Sequence, residues 1–515
     1  MPDLVGSAVL QRQLEGVAEE MGAVLVRSAL SSNIKERQDS STALFDPAGT
    51  LLAQAAHIPV HLGSMQHAVA AVLAHTPQPG DAWLLNDPYA GGTHLPDITL
   101  VCALADADGI PLGLAAVRAH HADVGGTVPG SMSAAAASID AEGVRVPPTL
   151  VARGGELLVE VLAPIVGAMR QPDERLGDLR AQLAALRVAK RRMPRLAAQR
   201  GGPERFLAAC GTLIDDAERR ARNLLAAHAG GWGEAERIVE LPAGAQALVR
   251  AAISVDGGTL RVDLRASSPQ TATSLNCPRS VTDAAVLFAT RVALGSAMPG
   301  GGGAARAIEV VTTPGSIVHA LAPAAVAAGN VEISSVVADV VLAALGAIAE
   351  VPADGQGTMN NLVIGNESFS YYETIAGGQG AAAHADGPDA VQVAMTNTRN
   401  TPIEALELEF PLEVVQYAVR RGSGGAGLHR GGDGVIRAVR VLEACSLNII
   451  AQRRLHAPHG RAGGADGAVG QQFVNGEPTP GLASLQLEAG DIVEIRTPGG
   501  GGYGVSGSDA AHPTV

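Results

Sequence analysis

Apolar residues Leu10, Leu14, Val17, Met21, Val24 and Leu25 recur three and four apart, which predicts that the chain opens with an amphipathic helix. Asp46-Pro-Ala-Gly49 reads as a turn between two short apolar runs, consistent with a hairpin. From residue 83 to about 148 the pattern changes to short β-like runs, such as 98–104 and 112–118, separated by glycine-rich loops. A long helical stretch is predicted over 176–227, broken near Gly201-Gly202-Pro203. Residues 238–264 read as two strands, with Asp256-Gly257-Gly258 as the hairpin turn. Two more helices are predicted, over 283–294 and 331–349. Beyond residue 405 the chain alternates strands with glycine segments, which read as tight turns and end in Thr497-Pro-Gly-Gly-Gly-Gly-Tyr-Gly504.

No repeat of fixed period is present, and strands and helices do not alternate as in a doubly wound sheet. The expected fold is therefore α+β and multi-lobed, with mixed sheets, helical segments and a β-rich C-terminal lobe. The expected organisation is a lobe over 1–175, a helical segment over 176–230, a central α+β lobe over 231–404, a β-rich lobe over 405–506 and a small polar tail over 507–515. Composition agrees: 515 residues with 47% hydrophobic and 17% charged positions can fill more than one core. Aromatics make up only 3% of the chain against 63 glycines, so the cores must be built from small aliphatic side chains and close backbone approach.

The formal net charge of −14 argues against a nucleic-acid or anionic-membrane surface. The one basic run, 187–195, reads as the solvated face of a helix. Four widely spaced cysteines without a CxxC pair point away from disulfides and thiolate metal sites. Asp3, Arg12, Glu15, Glu19 and Glu20 do not fit a secretory signal, and the most apolar run, 336–349, carries Asp339. A soluble, cytoplasmic protein is expected.

Chemically capable residues concentrate between 39 and 123. In Asn86-Asp-Pro-Tyr-Ala-Gly-Gly-Thr-His-Leu-Pro-Asp97, the glycines and Pro96 prevent a regular helix, so His94 and Asp97 can turn toward one point. Further on comes Arg118-Ala-His-His-Ala-Asp-Val-Gly-Gly126. Two histidines and a carboxylate form an N/O ligand set suited to Zn, Mn or Fe. On a strand His120 and His121 point to opposite faces, so one of them at most ligates. The plainer alternative is that these histidines cap loops. Asp39 on sequence alone reads as a turn residue paired with Arg37, and His57, His61 and His67 read as structural. No phosphate loop is evident: the only lysines, Lys35 and Lys190, do not follow a glycine loop, and no helix follows the terminal glycines. A GxSxG elbow is also absent.

Taken together, the motifs resemble the hydantoinase B/oxoprolinase family, which includes ATP-dependent N-methylhydantoinase and 5-oxoprolinase and, more distantly, the acetone and acetophenone carboxylases. The resemblance runs through Ser32-Asn-Ile-Lys-Glu-Arg-Gln-Asp39, His57-Ile-Pro-Val-His-Leu-Gly-Ser-Met65, the 86–97 and 120–126 segments, Ala328-Gly-Asn-Val-Glu332, Met395–Glu404, Ser423–Gly427 and Thr497–Gly504. It implies a divalent metal held by His94, Asp97 and His120, with Asp39 nearby as a further ligand or base. It also implies an A-type, acetate-kinase-like ATPase partner that binds ATP, and hence a hetero-oligomer. The implied activity is ATP-dependent opening of a small cyclic amide or imide (hydantoin, 5-oxoproline or a related lactam), with Asp39 or Asp123 as the base. The alternatives are an ATP-dependent ketone carboxylase subunit and a metal amidohydrolase that needs no ATP. Departures from the family pattern are Gln392 where a histidine is expected, Ala168 in place of an asparagine, glycines after Pro299, and no tryptophan after the proline of 458–464.

Overall fold

Helix α1 (Leu4–Ser28) realises the opening periodicity, with Leu10, Leu14, Val17, Met21 and Leu25 all buried. The structure, a computed structural model, describes residues 4–56, 58–61 and 63–506; His57 and the 507–515 tail lie outside the described residues. Helix α1 packs on a seven-stranded sheet, in which every adjacent pair is antiparallel and the order is β2-β1-β5-β4-β3-β6-β7. Its strands are β1 (Ser40–Phe45), β2 (Leu51–Ala56), β3 (Ala82–Leu85), β4 (Asp97–Ala105), β5 (Pro111–His120), β6 (Thr149–Arg153) and β7 (Glu156–Leu157). Helix α2 is Ser64–Leu73 and α3 is Pro172–Gln199.

Period-two alternation sorts the central strands between two cores. Leu44, Leu100, Cys102 and Val117 join the core shared with α1 and α3. Ala43, Phe45, Val101, Leu114 and Ala116 face Met65, Ala68, Val69 and Val72 of α2. Helices thus cover both faces, which is why β4 and β5 read as nearly continuous apolar runs. The α3 face carrying Arg187, Arg191, Arg192 and Arg195 is exposed, as the charge spacing predicts.

Helix α4 (Pro203–Ala226) follows the expected break and leads to a second sheet of order β11-β10-β9-β8. This sheet comprises β8 (Trp232–Glu240), β9 (Gln246–Asp256), β10 (Thr259–Asp263) and β11 (Ile308–Val311). Three strands fill the stretch read as two, because Pro242–Gly244 breaks it once more. The hairpin at 256–259 is as expected, with Gly257 and Gly258 both at positive φ. Helix α5 (Arg279–Leu294) and helix α6 (Ser334–Leu345) pack together in this core. One π-helical turn, Gly329–Ile333, leads directly into α6.

The remaining strands are β12 (Asn361–Gly365), β13 (Ser370–Thr374), β14 (Leu412–Arg420), β15 (Gly434–Val441), β16 (Cys445–Ile450), β17 (Gln471–Val474), β18 (Glu477–Pro478), β19 (Leu482–Leu487) and β20 (Ile492–Arg496). They form two antiparallel sheets, β13-β12-β16-β19 and β14-β15-β20-β17-β18. Strands on both sides of residue 405 therefore share a sheet.

The glycine segments of this region correct the sequence expectation. They are not tight turns: of the glycines from 422 to 434 and from 499 to 504, only Gly422 and Gly504 have positive φ. They run extended, side by side, and bond one another. Gly500 N donates to Gly432 O (2.9 Å), Gly432 N to Gln379 O (2.8 Å), Gly501 N to Asp354 O (2.8 Å) and Gly502 N to Ala465 O (2.8 Å). Four consecutive glycines, 499–502, would each drive a Cβ into a different neighbour, at Ser423, Gln379, His459 and Ala426. Chains this close leave no room for side chains.

Glu142 clasps the first lobe to the segment before the π turn, accepting from Val326 N (3.1 Å) and Ala327 N (2.9 Å). Burial pushes it from 4.5 up to about 8, despite those two bonds. The folded chain thus holds a proton that the unfolded chain releases near pH 4.5. Stability present below that pH is lost as pH rises toward about 8. Glu142→Gln is expected to flatten this fall by on the order of 2–5 kcal/mol, read as thermal midpoints from pH 4.5 to 8.5. An unchanged slope would remove Glu142 from the linkage. Glu332, also pushed up to about 8 by burial, contributes to the slope that remains.

Among the described residues no helix is long and apolar enough to cross a membrane.

Candidate metal centre

Strand register builds the centre. Asp97 opens β4 directly opposite His120, the last residue of β5, and His120 N donates to Asp39 O (3.0 Å) just before β1. Residues directly opposite share a face. Asp39, His120 and Asp97 therefore form one row across three adjacent strand ends, on the face that α2 covers. One step inward lie Ser41, Arg118 and Thr99, and beyond them the apolar Ala43, Ala116 and Val101. The row is polar and fully enclosed: Asp39 is 6% exposed, Asp97 1% and His120 2%.

Two loops add imidazoles. The 86–97 loop is fixed by Asn86, whose Nδ2 donates to Leu95 O (2.8 Å) while its Oδ1 accepts from Val146 N (2.7 Å). Gly91, at φ 95°, lies so close to α2 that a Cβ would sit 2.5 Å from His67 O. This holds His94 with Nε2 3.3 Å from Asp97 Oδ2. A 3-10 turn, Pro59–His61, brings His61 Nε2 to 3.5 Å from the same oxygen, and His61 Nδ1 contacts Ser41 Oγ at 2.9 Å.

Two overlapping triplets result, His94–Asp97–His120 and Asp39–His61–Asp97, each with its ligand atoms within 4.8 Å of one another. Asp97 belongs to both. His61 Nε2, both His94 ring nitrogens and His120 Nε2 are buried without a hydrogen-bond partner. Unpartnered buried nitrogens are costly, and three imidazoles converging on two carboxylates is the arrangement a bound cation would satisfy. The residues present thus fit a divalent ion.

The electrostatics agree. Burial alone would raise Asp97, but His94 and His61 outweigh it and hold the carboxyl well below its usual range. Asp39 is pushed up to about 6, first by burial and then by the Asp97 charge. Burial and the neighbouring His94 hold His120 well below its ordinary value, in the neutral form that ligates.

Surrounding groups orient the ring of His120. Tyr372 of β13 stacks on it at 4.7 Å and 7°, and Asn33 Nδ2 meets its Nδ1 at 3.2 Å. Arg37 braces the same wall, donating to Thr374 Oγ1 (3.2 Å) with its guanidinium 4.8 Å over the Tyr372 ring. Gln392 donates to Thr374 O (3.3 Å) on that wall. Asn330, from the π turn, reaches Asp97 Oδ2 at 3.3 Å and leaves its own Oδ1 unpartnered. Such turns recur at functional sites.

Of the residues singled out in the sequence, the structure gathers His94, Asp97, His120 and Asp39. Asp123 is not in the group. Its carboxylate accepts from Gly125 N and Gly130 N (both 2.7 Å) and faces Arg170, which ties the 123–131 loop together. His121 turns the other way, to Gln182 Oε1 (3.0 Å). Sequence reasoning missed His61, because Pro59 disguised the short turn that carries it. It also missed Asn33, Asn330 and Tyr372, which come from distant segments.

A family model described as Hydantoinase B/oxoprolinase matches residues 3–506. The 5-oxoprolinase 1 of Arabidopsis thaliana is 35% identical over 98% of the chain, which spans only 42% of that relative's length. A putative B-type subunit of a D-/L-hydantoinase, from Pseudomonas sp. (strain NS671), is 30% identical, with 98% of this chain and 90% of that one covered. The crystal structure of an ATP-dependent caprolactamase from Pseudomonas jessenii superposes with a TM-score of 0.91 at 26% identity, covering 98% of this chain and 91% of that one.

Proposed function

The chain belongs to the hydantoinase B/oxoprolinase family, and from that premise we propose that it is the metal-carrying B-type subunit of an ATP-dependent hydrolase that opens a cyclic amide or imide. The observation that carries this reading is the set of unpartnered imidazole nitrogens converging on Asp97 and Asp39. His94, Asp97 and His120 hold the ion, with His61 and Asp39 at its edge. Zn, Mn or Fe suits this donor set. When bound, the ion supplies Lewis-acid polarisation to an otherwise poorly electrophilic carbonyl. Asp39, raised to about 6, is placed to take a proton near neutral pH. Tyr372 and Asn33 hold the His120 ring in register, and the enclosing lobes exclude bulk water.

ATP belongs on an A-type, acetate-kinase-like partner. The extended glycine segments pack against one another and present no loop to a phosphate. Of the two lysines, Lys190 lies against Gly80 and Gly155. The substrate class is a hydantoin, 5-oxoproline or a related lactam, as the relatives' names suggest. Coexpression with an A-type subunit is expected to give a stable complex whose ATP turnover depends on a cyclic amide and on both chains. Lactam hydrolysis by the isolated chain without ATP, or tight ATP binding to it in calorimetry, would overturn this assignment.

A further inference from the structure

Two to three turns beyond the π turn, helix α6 borders a second cavity, of about 180 Å³. An engineered cavity of about 150 Å³ holds benzene, so this space suits a small organic molecule. Its middle is apolar, formed by Leu342 of α6, Phe288 of α5 and Val393. Its polar groups sit at two ends.

At one end is Asp339, the only charged residue of α6. Its Oδ2 accepts from Arg453 Nη2 (2.6 Å), which also reaches Asp354 Oδ2 (3.2 Å). Arg237 closes the network with two bonds to Asp354, at 2.9 and 3.1 Å. The second oxygen of Asp339 has no hydrogen bond among the described residues. Burial, followed by the Asp354 charge, pushes Asp339 up to about 6, so the two arginines leave it under-compensated.

At the other end Arg461 lays its guanidinium over Gly346, just past the end of α6. Neither this guanidinium nor the carboxamide of Gln379 beside the cavity makes a hydrogen bond or ion pair among the described residues. The cavity therefore offers an unfilled acceptor, an apolar middle and an unfilled cation in that order. Residues 339 and 346 are about 10 Å apart along the helix axis. After roughly 3 Å for a hydrogen bond at each end, about 4–5 Å separates the two charges of a ligand that fits. An α-amino acid is too short for this.

We propose that the cavity binds a linear ω-amino acid of four carbons, with its ammonium on Asp339, its methylenes on Leu342, Phe288 and Val393, and its carboxylate on Arg461 and Gln379. Such a molecule is the ring-opened form of a simple lactam. Its identity as product rests on the hydrolase reading; its binding does not.

The test is calorimetry on the full chain without ATP or partner, using 4-aminobutanoate, pentanoate, pentylamine and glycine as probes. The amino acid is expected to saturate at least tenfold more tightly than pentanoate, pentylamine or glycine. Arg461→Gln, at a half-buried site, is expected to erase its advantage over pentylamine while leaving pentylamine unchanged. Gln379→Ala is expected to weaken the amino acid and pentanoate alike, and serves if Arg461→Gln fails to fold. No saturation up to roughly 50 mM, equal affinity for the one-headed probes, or full affinity in both variants would overturn the proposal. Binding by the chain combined with no lactam turnover by the two-subunit complex would instead leave the site in place and remove its role as a product site.

Discussion

His94→Ala is expected to empty the metal centre without unfolding the chain. Nδ1 of this imidazole is buried without a partner and Nε2 meets only the Asp97 carboxylate, so its removal gives up that one contact. What is lost is a nitrogen 3.3 Å from the Asp97 carboxylate, together with part of the positive field that keeps that carboxyl ionised. Loss of an outer-shell partner costs roughly 10–100-fold in metal affinity, and loss of a ligand should exceed that. Elemental analysis of the purified variant should show a near-metal-free protein with native circular dichroism and no lactam-dependent turnover in the complex. His121→Ala is the matched comparison. It breaks the bond to Gln182 on the opposite face and should cost about 1–3 kcal/mol in stability while keeping the metal. Full metal content in His94→Ala, or greater loss in His121→Ala than in His120→Ala, would refute the ligand set.

Gly500→Ala is expected to be strongly destabilising. The added Cβ would overlap the Gln379 carbonyl and lie 2.6 Å from the Gly380 nitrogen, both backbone atoms that cannot rotate away. Overpacking in a core typically costs about 1–3 kcal/mol, because side chains yield. Here three bonded chains must separate instead, and about 4–5 kcal/mol is expected. At roughly 1 °C per kcal/mol for a chain of 515 residues unfolding as one unit, the thermal midpoint should fall by about 4–5 °C. Gly490→Ala is the control: it has a positive φ, but open space around it, and should cost only the smaller strain of that backbone. Equal midpoints for the two variants would show that close packing does not decide the role of Gly500.

The elements legible in the sequence were those with a local signal. The α1 stripe, the break at 201–203, the 256–258 hairpin and the solvated arginine face of α3 all follow from spacing within one segment. The glycine segments misled because a glycine needed for close approach looks the same in sequence as one needed for positive φ. At the candidate centre, loop composition marked His94 and Asp97 as able to converge, and the set with His120 came from the family resemblance. That Asp39 lies in the cluster and Asp123 outside it has one reason. Chemistry at a strand end depends on register with neighbouring strands, and register is not written in either residue's own segment. Asn330 and Tyr372 lie more than two hundred residues from Asp97, and nothing near them in the sequence points to it.

The glycine bundle also imposes an order on synthesis. Segments 379–381 and 424–432 are made long before 499–502, and although Gly432 N bonds Gln379 O directly, their other mutual order comes through that last segment, which takes Gly500 N to Gly432 O and Ala381 N to Gly501 O. At about 5–20 residues per second, the 70 or so residues between the second segment and the third take roughly 4–14 s to emerge. During that interval the amides and carbonyls that pair with 499–502, such as Gly432 O and Ala381 N, have water as their partner. The first lobe, whose strands all lie before residue 158, can already be closed around its histidines by then. A ribosome-bound chain of this protein is thus a first lobe able to close, trailing a half-paired lattice that locks when residues 499–502 slide into its middle.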